Sequence, residues 1–358
     1  AVLFTEDDPL RLRGGDTLNH VEVAYETYGE LSPDGDNAIF VAHALTGDAH
    51  ASGLHLGEKK RGWWDNIIGP GKAIDTEKWF VICANMLGGC SGTTGPQSIN
   101  PATGVAYGPD FPLLHMSDVV AVHRKLLAHL GVRRLHAAVG GSLGGMQVLQ
   151  WVVDAPEQID RAVLIAATSR LSAENIAFSA VAREAIISDP DFHGGHYRDH
   201  GVVPARGLKV ARMMAHITYV SAQSLEAKFG RERTGQQMTL QPDFQVEHYL
   251  QHQGDSFIQR FDALSYLRLA RLLDYFDPFA EPHTIAALQQ ASTVFRVLSF
   301  DSDWRFSTAQ SQAMVEQLRA AGCEVSFDEL SAPYGHDSFL LESPGYHDEV
   351  RWFVDASR

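Results

Sequence analysis

The sequence predicts a doubly wound α/β fold that carries a helical insertion. Continuous apolar runs alternate with amphipathic helical stretches in the first and last parts of the chain, the pattern of a mostly parallel sheet covered by helices. This pattern stops between Thr168 and Ile285, where helical periodicity and polar loops dominate. We therefore expect a core domain of residues 1–167 and 286–358, with residues 168–285 forming a helical lid.

The N-terminal elements follow from local patterns. Ala38–Ala42 and Trp79–Ala84 are continuous apolar runs, as expected for strands buried on both faces. The partly alternating stretch Val21–Tyr28 predicts another strand. Ser117–Leu130 has helical spacing, begins with Ser-Asp and stops before Gly131, which predicts a helix capped at both ends.

The remaining core elements follow the same patterns. We expect strands over 135–139, 161–166, 293–300 and 324–330, and helices over 143–154, 308–321 and the C-terminal segment after GHD. This alternation completes the predicted α/β core.

Composition excludes several classes of protein. The 358 residues are 45% hydrophobic and 20% charged, which is typical of a folded enzyme-sized chain. The net charge of −15 offers no broad cationic surface, so we expect neither nucleic acid nor an anionic membrane as partner. No apolar run approaches the ~18 residues of a membrane helix, and the N-terminus does not resemble a signal peptide. We expect a cytoplasmic protein.

Ser142 is the strongest candidate nucleophile. It lies in the segment GGSLGG, directly after a predicted buried strand and directly before a predicted helix. That context is typical of a nucleophile elbow, in which small neighbours allow a sharp turn and the serine hydroxyl is exposed at the helix N-terminus. The sequence matches neither GxGxxG nor a P-loop.

A serine hydroxyl needs a base that is oriented by an acid. Downstream, Asp301 and Asp303 follow a predicted strand, and His336 follows the next one. Both positions lie at carboxyl ends of strands, where doubly wound sheets place active groups. The order Ser, Asp, His is that of a hydrolase triad, but spacing alone does not choose between the two aspartates.

The oxyanion hole of such a site needs two backbone amides. We expect one from Leu143, the residue after the serine, and one from Leu45, in the loop after the Ala38–Ala42 strand. A plain turn is the alternative for Leu45.

Other histidines and cysteines carry less weight. His193, His196 and His200 are expected in a solvated loop, and no metal-ligand spacing supports zinc there, so we predict no metal. The three cysteines imply no disulfide framework. Cys90 has no base near it in sequence and is expected to be a packing residue.

Several segments together resemble one family, the homoserine O-acyltransferases of the α/β-hydrolase fold. They cover nearly the whole chain and read VAYETYGEL, HALTGDAH, GWWDNIIGPGKAIDT, GGCSGTTGPQSINPATG, GGSLGGMQ, AHITY, the SDW-F segment and YGHD. The resemblance implies ping-pong acyl transfer, in which Ser142 attacks the thioester of an acyl-CoA co-substrate. It also selects Asp303 as the acid that orients His336. The resemblance implies no permanently bound cofactor. It also implies a homodimer that pairs through the lid helices.

The resemblance also assigns the acceptor site. L-Homoserine carries a carboxylate and an ammonium, which call for one cation and one anion. The matching positions are Arg212 and Asp337, with Tyr219 lining the pocket. The alternatives are a solvated helical Arg212, and an Asp337 that caps or supports a neighbour.

Arg305 is the candidate selector of the acyl group. Succinyl-using members of the family resemble DWRF, as here, and acetyl-using members DWLF. An arginine in the acyl pocket could bind the carboxylate of a succinyl group, worth ~1.5–3 kcal/mol. We therefore expect homoserine O-succinyltransferase activity and keep homoserine O-acetyltransferase, serine O-acyltransferase and esterase as alternatives. A non-catalytic module would need a disrupted triad.

Overall fold

A seven-stranded sheet forms the centre of the computed structural model, which describes residues 1–356. The strands are β1 Val2–Phe4, β2 Leu10–Arg11, β3 Thr17–Leu18, β4 Val21–Glu22, β5 Tyr25–Tyr28, β6 Ala38–Ala42, β7 Phe80–Ala84, β8 Leu135–Gly141, β9 Ile159–Ile165, β10 Val294–Phe300 and β11 Glu324–Leu330. The helices are α1 Met116–His129, α2 Leu143–Asp154, α3 Ala173–Ile187, α4 Ala205–Tyr219, α5 Ala222–Phe229, α6 Gln245–Ile258, α7 Ala263–Asp274, α8 Thr284–Gln290, α9 Thr308–Ala320 and α10 Tyr346–Asp355.

The sheet order is β11-β10-β9-β8-β6-β7-β5. All neighbouring pairs are parallel except the edge strand β5, which pairs antiparallel with β7. Parallel strands place their carboxyl ends at one edge of the sheet, and a ligand site in such a fold lies outside that edge. The predicted doubly wound, mostly parallel sheet is confirmed.

Strand β6 shows why the apolar runs are continuous. Its side chains alternate between two hydrophobic layers, with Phe40 on one face and Ile39 and Val41 on the other. The layer around Phe40 includes residues of α1, α2 and α9, whereas the opposite layer includes residues of α10. A strand covered on both faces needs apolar side chains at every position.

Two local predictions were wrong in detail. Val21–Tyr28 is not one strand, because β4 pairs with β1 and β5 pairs with β7. The helix predicted from Ser117 begins at Met116, and its N-cap is His115. The Asp118 carboxylate accepts the His115 amide over 2.7 Å, so this aspartate caps from inside the helix.

The chain between β9 and β10 forms helices α3–α7, as the helical periodicity indicated. Helix α4 packs against α3 and α6, and α3 also contacts α7. Helix α8 instead contacts α2 of the core.

The end of α4 is fastened to the loop after β11. A Cβ on Gly335 would lie 2.5 Å from the backbone nitrogen of Ser221, so only glycine allows this approach. The hydroxyls of Ser221 and Ser224 both donate to the Pro333 carbonyl, and the Trp304 indole donates to the Val220 carbonyl over 3.3 Å. The insertion therefore lies against the loops that carry Asp303 and His336.

Within residues 1–356, the structure holds no helix that combines the length and apolar character needed to cross a bilayer.

Candidate active site

Ser142 occupies a sharp turn between β8 and α2. Its φ of 57° and ψ of −124° lie in a region that L-residues rarely adopt. Its amide donates to the Ile165 carbonyl on β9 over 2.9 Å. A Cβ on Gly144 would lie 2.0 Å from the Ala42 carbonyl oxygen, and one on Gly140 would lie 2.2 Å from the Gly144 carbonyl carbon. The glycines beside the serine are therefore needed for strand and helix to approach.

Ser142, His336 and Asp303 form a continuous hydrogen-bonded chain. The Ser142 hydroxyl lies 2.8 Å from His336 Nε2, and His336 Nδ1 lies 2.7 Å from Asp303 Oδ2. A carboxylate can only accept, so Nδ1 carries the proton of the neutral ring and Nε2 is free to accept from the serine. This tautomer is the one that a general base requires.

The backbone fixes the Asp303 carboxylate. Its Oδ1 accepts the amides of Arg305 and Phe306, each over 2.9 Å, while Oδ2 faces the imidazole. Asp301, the other aspartate after β10, is exposed and accepts the Ala332 amide over 3.1 Å. The structure thus places Asp303, and not Asp301, against His336.

The His336 ring is packed on several sides. The rings of Phe306, Phe339 and Tyr219 lie with centroids 4.9, 5.5 and 5.8 Å from it. The preceding Gly335 amide donates to the Ser302 hydroxyl over 2.9 Å. These contacts hold the imidazole between acid and nucleophile.

The two amides expected to form an oxyanion hole have no protein acceptor within residues 1–356. Leu143 is the first residue of α2, where backbone N–H groups point out of the helix. Leu45 lies in the loop after β6, and the close approach of Gly144 to Ala42 brings that loop to the N-terminus of α2.

A buried hydrogen-bond chain supports the loop that carries Leu45. Gln147 Nε2 donates to the His43 carbonyl over 2.9 Å, and Gln147 Oε1 pairs with His123 Nε2 at 2.9 Å. His43 Nε2 accepts the Met86 amide over 3.0 Å, so its Nδ1 is the protonated nitrogen and donates to the Ala44 carbonyl. Burial lowers the pKa of both histidines, which keeps the rings neutral. The sequence patterns did not single out this support.

Arg212 lies on α4 near the loop after β6. Its guanidinium lies 4.9 Å from the Phe257 ring centroid and 5.9 Å from that of Tyr219, and Nη1 is 3.5 Å from the Thr46 hydroxyl. No carboxylate within the described residues comes within 4.0 Å of its nitrogens. The side chain is half-buried, which disagrees with the alternative of a solvated helical arginine.

Asp337 is a half-buried carboxylate without a hydrogen-bond or ion-pair partner among residues 1–356. Burial raises its pKa to about 6, which is opposed by His336 when that ring is protonated and by Arg212, with a smaller increase from Asp303. Arg212 and Asp337 are therefore a cation and an anion that lack ion-pair partners among residues 1–356 and are close enough to influence each other.

Arg305 turns inward and not into solvent. The side chain is 8% exposed, and its Nη1 donates to the Thr218 hydroxyl over 3.1 Å. The guanidinium lies 5.5 Å from the Tyr219 ring centroid and lines a small cavity that Leu45 also lines. No described carboxylate lies within ion-pair distance. The Tyr219 ring thus contacts both Arg212 and Arg305.

The remaining candidates lie outside this centre. His193, His196 and His200 are exposed in the loop after α3. Cys90 is half-buried, and burial raises its pKa to about 11, which disfavours a thiolate.

One group of side chains within residues 1–356 has the spacing of metal ligands, namely Glu26, His50 and His55. The Glu26 carboxylate lies 3.0 Å from His50 Nδ1 and 2.9 Å from His55 Nε2. Both histidines bond to the same carboxylate, and His50 Nε2 is buried without a hydrogen-bond partner.

The two adjacent tryptophans fasten loops around the site. Trp64 is fully buried and its indole donates to the Phe339 carbonyl over 2.8 Å, while the Trp63 indole donates to the Asp48 carbonyl over 3.0 Å. They connect the loop after β6 to the segment that follows His336.

Comparison with known proteins agrees with this geometry. The model of the α/β hydrolase fold family matches residues 37–343. A homoserine O-succinyltransferase of Nocardioides sp. is 68% identical over 99% of this chain and 96% of its own length. A homoserine O-acetyltransferase of Rhodospirillum rubrum is 49% identical over 100% of this chain and 93% of its own length.

The same relationship appears in three dimensions. The crystal structure of homoserine O-acetyltransferase from Bacillus anthracis superposes with a TM-score of 0.91 at 28% identity, covering 98% of this chain and 96% of that one. A single fold, near-complete coverage and high identity to both kinds of relative point the same way: the chain belongs to the homoserine O-acyltransferases of the α/β-hydrolase fold family.

Proposed function

We propose that this enzyme transfers a succinyl group from succinyl-CoA to the γ-hydroxyl of L-homoserine, giving O-succinyl-L-homoserine and CoA. The observation that carries the choice of acyl group is the buried, acid-free guanidinium of Arg305, beside Leu45 and close to the triad. A buried cation without a counter-ion is costly in free energy, and the carboxylate of a succinyl group would supply that counter-ion.

In the first half-reaction, His336 Nε2 takes the proton of Ser142 as the hydroxyl oxygen attacks the thioester carbon. The amides of Leu45 and Leu143 stabilise the negative oxygen of the tetrahedral intermediate. When this intermediate collapses, the carbon–sulfur bond breaks, His336 returns the proton to the leaving thiolate, and Ser142 carries the acyl group as an ester.

In the second half-reaction, the γ-hydroxyl of homoserine gives its proton to His336 and attacks the ester carbon. The serine oxygen leaves and regains the proton, which restores the free enzyme. Arg212 binds the acceptor carboxylate and Asp337 binds its ammonium, since neither group has an ion-pair partner among residues 1–356. The Tyr219 ring contacts both Arg212 and the His336 ring.

Identity to relatives alone does not decide the donor, because proteins named for succinyl and acetyl transfer occur at 52% and 49% identity. Arg305 gives a physical reason for preferring succinyl-CoA over acetyl-CoA. A bidentate bond to the succinyl carboxylate contributes ~1.5–3 kcal/mol, whereas an acetyl methyl leaves the guanidinium bonded to Thr218 alone.

The insertion supports this chemistry as a lid. Residues 168–285 contribute Arg212, Thr218 and Tyr219, and they exclude water from the acyl-enzyme. Apolar side chains exposed on two of its helices, Val181, Ile187 and Val210, favour pairing with a second copy. We propose a homodimer that works in the cytoplasm on free L-homoserine and acyl-CoA, and light scattering of the purified protein tests the dimer.

The deciding experiment is mass spectrometry of the protein after brief exposure to an equal mixture of succinyl-CoA and acetyl-CoA. We expect a succinyl adduct on Ser142 that disappears when L-homoserine is added. Ser142→Ala should carry no adduct. A predominant acetyl adduct would contradict succinyl transfer and favour the acetyltransferase alternative.

Thiol release without acceptor tests the esterase alternative. A transferase should release one equivalent of CoA and then stall, because the acyl-enzyme waits for homoserine. Steady release in water alone would show a hydrolase. L-Serine, offered as acceptor, tests the shorter alcohol, which one missing methylene should disfavour by ~1–3 kcal/mol.

A further inference from the structure

A second arginine lies beside Arg212 at the acceptor site. Arg260 Nη1 donates to the Thr46 carbonyl over 2.9 Å, while Arg212 Nη1 lies 3.5 Å from the Thr46 hydroxyl. Both guanidiniums also lie over the Phe257 ring, at 5.2 and 4.9 Å from its centroid. The two cations therefore meet at one residue of the loop after β6.

This pair of arginines has no counter-ion in the described part of the chain. Neither guanidinium has a carboxylate within 4.0 Å. Arg260 is exposed at one side, yet partial burial and the charge of Arg212 lower its pKa, while Asp48 and Cys90 oppose this shift. Burial, with a further contribution from the same two cations, lowers the pKa of His216 to about 3. Two like charges held this close repel each other unless an anion joins them.

The position of the pair limits which anion can fit. Arg212 acts electrostatically on Asp337, and Thr46 directly follows Leu45, the expected oxyanion donor. The acyl carboxylate has its own cation in Arg305. The donor phosphates are separated from the thioester by the whole pantetheine arm. The acceptor carboxylate, three bonds from the carbon that bears the reacting hydroxyl, remains as the anion for this place.

We propose that Arg260 acts with Arg212 to bind the carboxylate of the acceptor amino acid, so that the acceptor site holds two guanidiniums. This inference rests on the proposed function. Carboxylates accept two guanidinium groups well, because their two oxygens offer about four acceptor positions. Both guanidiniums contact the Phe257 ring, which helps to hold them in place before the acceptor arrives.

The test separates the two half-reactions in Arg260→Gln. The glutamine amide can still donate to the Thr46 carbonyl, but the charge is lost. We expect acyl-enzyme formation from succinyl-CoA at the wild-type rate, KM for L-homoserine raised at least tenfold, and kcat changed less than threefold. Arg260→Lys should recover part of the loss in KM.

An acceptor without a carboxylate, 3-amino-1-propanol, supplies a second readout. Wild-type enzyme should prefer L-homoserine over it strongly, and Arg260→Gln should reduce that preference by the same factor as its loss in kcat/KM for homoserine. Arg198→Gln is the matched control, because Arg198 lines the same surface cavity as Arg260 but lies 4.0 Å from Asp262. It should leave both values unchanged.

Three results would overturn the inference. An unchanged KM for homoserine in Arg260→Gln would remove Arg260 from the acceptor site. Equal slowing of acyl-enzyme formation and overall transfer would show that Arg260 only supports the oxyanion loop or binds donor phosphates. Wild-type acyl-enzyme that L-homoserine cannot discharge would refute the proposed function itself and this inference with it, whereas the first two results leave wild-type activity intact.

Discussion

The guanidinium of Arg305 donates a 3.1 Å hydrogen bond to the Thr218 hydroxyl, deep between core and insertion. Arg305 belongs to the loop after β10 and Thr218 to helix α4, so the bond joins the two parts of the chain at the cavity that Leu45 also lines. A hydroxyl satisfies one donor of the guanidinium but none of its charge. The charge therefore remains available to a substrate anion.

Replacing Arg305 by leucine should reverse donor preference. We expect kcat/KM for succinyl-CoA to fall about 10- to 150-fold, equivalent to ~1.5–3 kcal/mol, and that for acetyl-CoA to stay constant or rise. Thiol release with each donor measures the ratio. Thr218→Val should change it less, since it removes only a neutral partner. A donor ratio unchanged in Arg305→Leu would show that another residue selects the acyl group.

Asp303→Asn should leave the fold intact and slow acyl-enzyme formation by about four orders of magnitude, as in other Ser-His-Asp triads. The asparagine amide cannot hold the Nδ1–H tautomer that presents Nε2 to Ser142. Rapid-mixing measurement of CoA release gives the rate. Asp301→Asn is the control two residues away, and its rate should match wild type. Equal losses in both variants would contradict the assignment.

Asp337 should impose a pH dependence on the second half-reaction. Its carboxyl titrates with a pKa of about 6, and only the charged form binds an ammonium. We expect kcat/KM for L-homoserine to fall as pH decreases through 6. Acyl-enzyme formation depends on His336 but not on Asp337. Its pH profile therefore measures the contribution of His336, which can be subtracted from the profile of kcat/KM for L-homoserine. After that correction, a fall near pH 6 that persists in Asp337→Asn would contradict this role.

The same carboxylate should reduce folding stability at high pH. The folded-state pKa of Asp337 lies above its ordinary value of 3.8, so the folded protein favours the protonated form. Relative stability is therefore lost as pH rises through about 6. Asp337→Asn should have a higher melting temperature than wild type at pH 8, a smaller advantage at pH 5, and almost none below the ordinary pKa of 3.8. A constant difference across this range would refute the prediction.

Gly144→Ala should disable the site through a backbone clash. The added methyl would lie 2.0 Å from the Ala42 carbonyl oxygen, which neither element can relieve without moving the loop that carries Leu45. We expect a stability loss of ~1–3 kcal/mol by denaturant unfolding and almost no acyl-enzyme. Gly14→Ala, which meets no atom within 4 Å, should match wild type in both. A Gly144→Ala enzyme with normal activity would contradict the close approach.

Sequence patterns predicted the elements whose causes are local. Helix Leu143–Asp154 and strand Ala38–Ala42 have the predicted bounds. Both the burial of the strand and the glycine-rich turn before the helix depend on residues that are adjacent in the sequence. The break near Val23 was not predictable, since its amide bonds to Ala1 and that of Ala24 bonds to Thr93, far along the chain.

The site shows the same division. The order of Ser142 and His336 could be read from the sequence, but the choice of Asp303 over Asp301 needed family resemblance and then geometry. Arg260 lies in no recognised motif, and only tertiary packing on Phe257 reveals its position beside Arg212.

The contact of Gly335 with Ser221 has a mechanical consequence. Gly335, the residue before His336, has no side chain to separate it from the end of α4, and the hydroxyls of Ser221 and Ser224 hold Pro333. An outward movement of the inserted helices would therefore displace the His336 imidazole. An opened enzyme would then have a misaligned base and little power to activate water. This coupling between the inserted helices and His336 would reduce hydrolysis of the thioester while the enzyme is open.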